Sequence, residues 1–240
     1  MIDVGTSGYN YPEWKGRFYP PDLPAARMLA YYSSQFTAVE VNYTFYRMPT
    51  EKLLAGWAEQ VPESFRFALK APRRITHDRR LKDCADTVSA FCRIASSLGP
   101  RLGPLLFQLP PNLKCDLAVF DAFLDMLPPR VTAAFEFRHA SWLDDAVFER
   151  LGARGLSLCI ADAGDRHTPW VATSDVGYLR LRDEGYGEAD LAAWAARVQA
   201  EPAWSRAFVF FKHEDEGKGP EFARAFLRHL AAGPGDRGRA

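Results

Sequence analysis

Nowhere in the 240 residues is there an apolar run long enough to cross a bilayer, and the opening Met1-Ile2-Asp3-Val4-Gly5 carries neither a basic leader nor a long apolar core. These absences predict a chain that makes no use of a membrane and resides in the cytoplasm. Close cysteine pairs of the zinc or redox kind are missing too. Cys84, Cys92, Cys115 and Cys159 are scattered, and three of them fall in apolar settings that predict buried, reduced thiols. Net charge is absent as well: Lys plus Arg balance Asp plus Glu at 30 each, so affinity for an anion has to come from local clustering rather than a global field. A Gly-rich phosphate turn, an internal repeat, a Pro/Ser linker and a shift in composition are all lacking. The expectation is one domain over residues 1–232, followed by a frayed polar tail over 233–240.

What the chain does have is apolar material, 48% of its residues, in a regular alternation of short extended runs and helical stripes. The clearest run is Thr37 to Pro49. Val39 and Val41 point one way and Ala38, Glu40 and Asn42 the other, so a carboxylate and an amide stand where a core would place apolar groups. Further strands are expected at 2–5, 65–70, 103–108, 131–137, 156–161, 177–181 and 207–211. Helical stripes follow all but one; the most regular is Cys84, Val88, Phe91, Cys92, Ala95 and Leu98, with Asp83 as its expected cap. Between the sixth and seventh strands, residues 162–176 hold Gly164, Pro169 and Trp170 but no stripe, and a long loop is expected in place of a helix. Eight strands in such an alternation predict an α/β fold, a single (β/α)8 TIM-type barrel irregular at that connection.

The C-terminal strand ends are rich in polar groups. They offer Glu40 and Asn42, Lys70, Gln108, Glu136 and Arg138, Asp162, Arg180 and Arg182, and either Lys212 or His213. In a barrel this rim is where chemistry is built, and so many charges must interlock there. A structural ion network plugging the mouth is the plain alternative. Aromatic side chains, among them Tyr9, Tyr46 and Trp142, stand in the adjoining loops, and residues 73–80 form a basic loop containing His77. The candidate catalytic residues are Glu40, Glu136 and Lys70. The candidate binding residues are Tyr9, Asn42, Tyr46, His77 and Gln108, together with Arg138, His139, Trp142, Asp162, Arg180 and Lys212.

Ordered motifs run through the whole chain: Gly5-Thr6-Ser7-Gly8-Tyr9 with Trp14-Lys15-Gly16; Val39-Glu40-Val41-Asn42 with Thr44-Phe45-Tyr46-Arg47; Ile75-Thr76-His77; Gln108-Leu109-Pro110-Pro111; Glu136-Phe137-Arg138-His139 with Ser141-Trp142. This set resembles the YecE-like family of bacterial and archaeal proteins, a family known as a domain of unknown function. The resemblance implies a TIM-barrel-like fold and no particular reaction. The match is weaker at Tyr178-Leu179-Arg180-Leu181-Arg182, where a His-Gly often follows the Arg, and at Phe211-Lys212-His213, where an Asn pair is common.

Three functions are therefore open. The first is acid/base catalysis on a small anionic ligand, phosphorylated or nucleotide- or sugar-like, with Glu40 or Glu136 as acid or base. Lys70, Arg138 and Arg180 would then neutralise charge, and Asn42 and Gln108 would orient the ligand. The second is a divalent-metal hydrolase or isomerase using Glu136, Asp162, His139 and His213 or Glu214, which the neighbouring cations oppose. The third is a non-catalytic module for nucleic acid or a partner protein, using the basic loop. No cofactor is identified.

Overall fold

The expected alternation folds into a ring of eight parallel strands with helices outside it. A computed structural model describes residues 1–163, 166–212 and 217–232, so the tail over 233–240 and the candidates His213 and Glu214 lie outside the described residues. The barrel strands are β1 (Ile2–Thr6), β2 (Ala38–Val41), β3 (Arg66–Lys70), β4 (Leu102–Gln108), β5 (Ala133–Glu136), β6 (Ser157–Ala163), β8 (Val176–Leu181) and β9 (Arg206–Phe211), and β7 (Arg166–His167) is a short antiparallel addition to β6. Helices α1 (Met28–Ser33), α2 (Tyr43–Tyr46), α3 (Glu51–Ala58), α4 (Ala85–Ala95), α5 (Leu117–Leu124), α6 (Asp145–Ala153), α7 (Glu188–Ala200) and α8 (Lys218–Ala232) fill the connections. No helix among the described residues is long and apolar enough to cross a membrane.

Local chemistry accounts for three of the helix starts. Thr50, Asp116 and Asp144 each accept a first-turn backbone N–H, from Leu53, Val119 and Ala146, which satisfies donors that a helix start leaves orphaned. Asp83 does not cap α4 as expected. The N-cap is Cys84, and Asp83 (φ 46°) lies with Arg80 (φ 49°) and Leu81 (φ 70°) in a left-handed turn that buries the Leu81 side chain.

The connection without a helix is ordered by side chains instead. The Thr173 hydroxyl takes the Leu158 N–H at 2.8 Å and donates to the Leu156 carbonyl at 2.7 Å. Trp170 occupies the outer layer where a helix would lie, with Trp204 at 5.0 Å, the Arg197 guanidinium at 4.1 Å and a hydrogen bond from its indole N–H to Glu201.

Inside the ring, residues stack in layers, as alternation requires. Asp3 and Arg206 pair at the N-terminal end. A middle layer sets Ala38, Ala68 and Ala134 against Tyr178, Phe208 and Phe210, small residues accepting large rings. The polar layer lies above, at the C-terminal strand ends.

The ring closes between β1 and β2 with few ladder bonds. Ser7 bridges Glu40, and the Gly8 N–H reaches the Glu40 carbonyl at 2.7 Å. At this seam the buried Tyr32 hydroxyl of α1 accepts from the Thr6 N–H at 2.7 Å and donates to the Ala38 carbonyl at 3.1 Å. A phenol thus replaces a missing strand-to-strand bond. Tyr32→Phe should cost about 1–3 kcal/mol, because the Thr6 N–H is left buried without its acceptor. Urea denaturation checks this, and a loss below about 0.5 kcal/mol would show that the seam does not depend on the phenol.

Candidate functional site

Side-chain parity delivers most of the predicted set to one place. Glu40 from β2, Lys70 from β3, Gln108 from β4, Glu136 from β5 and Arg180 from β8 all point into the lumen and are all at least nine-tenths buried. Arg180 is the hub. Its Nε lies 2.9 Å from Glu40 Oε2, one terminal nitrogen lies 2.8 Å from Glu40 Oε1, and the other donates to Glu136 Oε2. Glu136 also accepts from Gln108 at 2.7 Å and from Arg138 at 3.0 Å, and Glu40 accepts from Tyr178 at 2.7 Å. One buried guanidinium therefore holds two buried carboxylates, and hydrogen bonds saturate what remains.

The electrostatics follow from that geometry. Burial pushes both glutamates up, but the Arg180 guanidinium outweighs it, so Glu40 lies below the ordinary carboxylate range and Glu136, with Arg138 adding to the pull, well below it. Both remain ionised at neutral pH, and neither is a good proton donor or acceptor there. Lys70 behaves oppositely. Burial first, then the repulsion of Arg180, brings its pKa down to about 7 despite the attraction of Glu40 and Glu136. Its Nζ sits 4.0 Å above the centre of the Phe45 ring, and the Thr44 hydroxyl donates to its carbonyl at 2.7 Å. His77 is lowered in turn, by burial and by Lys70 and Arg138.

Above this network opens a cavity of about 430 Å³. It is lined by Phe45, Tyr46, Lys70, Arg73 and His77 on one side and by Gln108, Arg138, Arg180, Arg182 and Lys212 on the other. Tyr46 stands at the rim, 80% exposed. A smaller cavity of about 270 Å³ adjoins it through Arg138 and Arg182, with Phe137, Ala140, Leu143 and His139 in its wall.

Other predicted residues are not brought there. Strand β2 ends at Val41 and Asn42 becomes the N-cap of α2, so alternation no longer directs it inward. With Tyr9 it lines a separate depression beside Tyr11 and Trp57. Asp162 is one residue out of phase, since Ala161 pairs with Arg180 in register and Asp162 with Leu181. It faces the outer layer, where the Tyr186 hydroxyl donates to it at 2.5 Å and His167 lies 2.8 Å away. Trp142 is packing: 1% exposed, stacked on Phe137 at 4.9 Å and donating to the Leu113 carbonyl.

Tyr178 was missed, although it lies two residues before Arg180 on the same face. His167 and Thr168, in the smaller cavity, lie on a hairpin that no periodicity marks. Among the described residues no three His, Cys, Asp or Glu side chains converge as metal ligands would, and the oxygens of Glu136 are already engaged by Arg180, Arg138 and Gln108.

Comparison with known proteins places the fold in company. The family described as "Protein of unknown function DUF72" matches residues 3–238. The chain is 32% identical over 157 residues to UPF0759 protein YecE of Escherichia coli (strain K12), covering 65% of this chain and 55% of that protein. It is 28% identical over 158 residues to UPF0759 protein YunF of Bacillus subtilis (strain 168), covering 62% of this chain and 55% of that one. The matched stretch thus spans about half the length of these curated relatives. A crystal structure of a DUF72 family protein from Thermotoga maritima MSB8 superposes with a TM-score of 0.84 at 26% identity, over 96% of this chain and 99% of that one.

Proposed function

Because this chain belongs to the DUF72 family, whose description names no activity, its chemistry has to be read from its own side chains, and we propose that the barrel mouth binds a small anionic ligand and acts on it through Lys70. One observation carries the reading. Of the ten residues lining the cavity above the Arg180 network, six are Lys or Arg and one is His77, and no carboxylate is among them. Their counter-charges, Glu40 and Glu136, lie in the layer beneath, where they fix Arg180; neither lines this cavity, and Glu136 borders only the smaller one beside it. A phosphate or carboxylate group entering here would meet oriented guanidinium donors in a half-desolvated space, where charge-assisted bonds are strong.

The roles of the acidic pair change accordingly. Glu40 and Glu136 position Arg180, and proton exchange near neutrality falls to Lys70. The basic surface and the exposed Tyr46 would also suit a nucleic-acid strand, and the test separates the two.

Sulfate is the probe, since its charge is constant between pH 5 and 9. Calorimetry should show one site whose affinity falls as pH rises from 6 to 8 and Lys70 loses its proton. Arg138→Met should weaken binding about tenfold, the value of one charge-assisted contact. Affinity independent of pH and of Arg138 would overturn the assignment. Oligonucleotide binding that persists in saturating sulfate would favour the nucleic-acid module instead.

A further inference from the structure

We propose that Lys70 is a carbonyl-directed nucleophile: its amine condenses with a small anionic aldehyde or ketone held in the basic cavity and forms a Schiff base. The inference rests on the anion-site reading above and adds to it the chemical class of the ligand.

Position comes first. Lys70 ends β3 at the C-terminal face of the barrel, its strand paired on both sides by β2 and β4, and its carbonyl is held by Thr44. The side chain is 9% exposed and opens onto the cavity. Among the described residues no carboxylate oxygen comes within ion-pair distance of its nitrogen, and Glu40 and Glu136 are both committed to Arg180.

An amine meant to hold an anion by charge alone would be better hydrated or supported by a carboxylate. This one is stripped of water, laid on the Phe45 ring, and set near Arg180, Arg138 and His77. Those surroundings favour the free base, which is the nucleophilic form. Charge recognition is left to guanidinium groups such as Arg73 and Arg138, which do not deprotonate. The adjoining cavity, with Phe137, Ala140 and Leu143 on one part of its wall and Glu136, His167 and Thr168 on another, gives room for a carbon skeleton that carries polar groups.

The step balances without a co-reactant. The neutral Nζ adds to the carbonyl carbon as the carbon–oxygen π pair moves onto oxygen. Both amine protons pass to that oxygen, which leaves as water, and a carbon–nitrogen double bond remains. Nothing is oxidised or reduced.

The test traps that bond in the intact protein with cyanoborohydride, using glyoxylate as the anionic aldehyde and acetaldehyde as its uncharged counterpart, and locates the adduct by peptide mapping. At pH 7 about half of Lys70 would be free base, against about one part in 10³ of an ordinary lysine. Glyoxylate should therefore modify Lys70 at least about tenfold faster than Lys15, Lys52, Lys82 or Lys114. Sulfate should protect it, and acetaldehyde should show less preference. Lys70→Arg should abolish the preferred adduct. If sulfate binds but Lys70 is modified no faster than the surface lysines, the nucleophile assignment is overturned and the anion site stands. If sulfate does not bind and Lys70 is not preferred, both fall.

Discussion

Arg180→Leu should lower stability by about 3–5 kcal/mol at pH 7.5, because it leaves two carboxylates in the lumen without the guanidinium that both share. The pH dependence distinguishes this from simple loss of packing. In the native protein Glu40 and Glu136 are held below their unfolded values, so their contribution is complete above about pH 4.3 and is lost as pH falls through the folded values. In the variant, burial dominates and the folded values rise above the unfolded one. The penalty then appears as pH climbs past about 4.3 and shrinks again on return to pH 5. Two neighbours soften the loss: Arg138 still reaches Glu136, and Lys70, freed from its largest repelling charge, holds its proton more readily. Glu40 loses its guanidinium bonds and keeps only the Tyr178 hydroxyl and the more distant Lys70 charge, so adding Glu40→Gln to Arg180→Leu should restore part of the stability. Urea midpoints at pH 5 and 7.5 decide the matter; an equal loss at both pH values, or no recovery in the double variant, would refute the account.

Gly5→Ala is expected to be as damaging for a different reason. A Cβ at position 5 would stand 1.8 Å from the Ala38 carbonyl oxygen and 2.8 Å from both its carbonyl carbon and the Tyr32 hydroxyl. The first two atoms are backbone, so no rotamer relieves them. Strand β1 cannot retreat, since residues 2–6 are held in register by β9 on its other side. The substitution should cost more than about 3 kcal/mol, beyond the usual range for an overpacked core. Pairing it with Tyr32→Phe should not rescue it, because the principal clash is with the main chain. Gly56→Ala in α3 is the control: its added methyl meets nothing within 4 Å, and stability should be unchanged or rise by up to about 1 kcal/mol. Thermal unfolding of the pair tests this, and equal midpoints would show that β1 and β2 approach less closely than described.

The barrel was legible because its signals are periodic. Strand runs alternate with helical stripes, and counting them yields both the eight-fold ring and the one connection lacking a helix. The polar layer was legible for the same reason: Lys70, Gln108, Glu136 and Arg180 sit at strand ends with inward parity. Prediction failed where periodicity stops. Asn42 looked like the next inward residue after Glu40, but the strand ends at Val41 and a helical turn redirects it. Asp162 marked the end of β6, yet register turns it outward. The pairing of the ionised groups was also hidden, since spacing reveals that Glu40, Glu136 and Lys70 are neighbours but not that one arginine bridges both acids and that, among the described residues, no carboxylate pairs with the amine.

The seam at Tyr32 bears on how the molecule assembles. Every other junction of the cylinder zips along a run of main-chain pairs, but the last hoop has only its ends joined that way and is fastened between them by a phenol carried on a six-residue helix. Winding of that small helix is therefore a condition for completing the wall. The first strand, whose other neighbour lies some two hundred positions away in the chain, is locked into the ring by a stave as well as by its fellow strand.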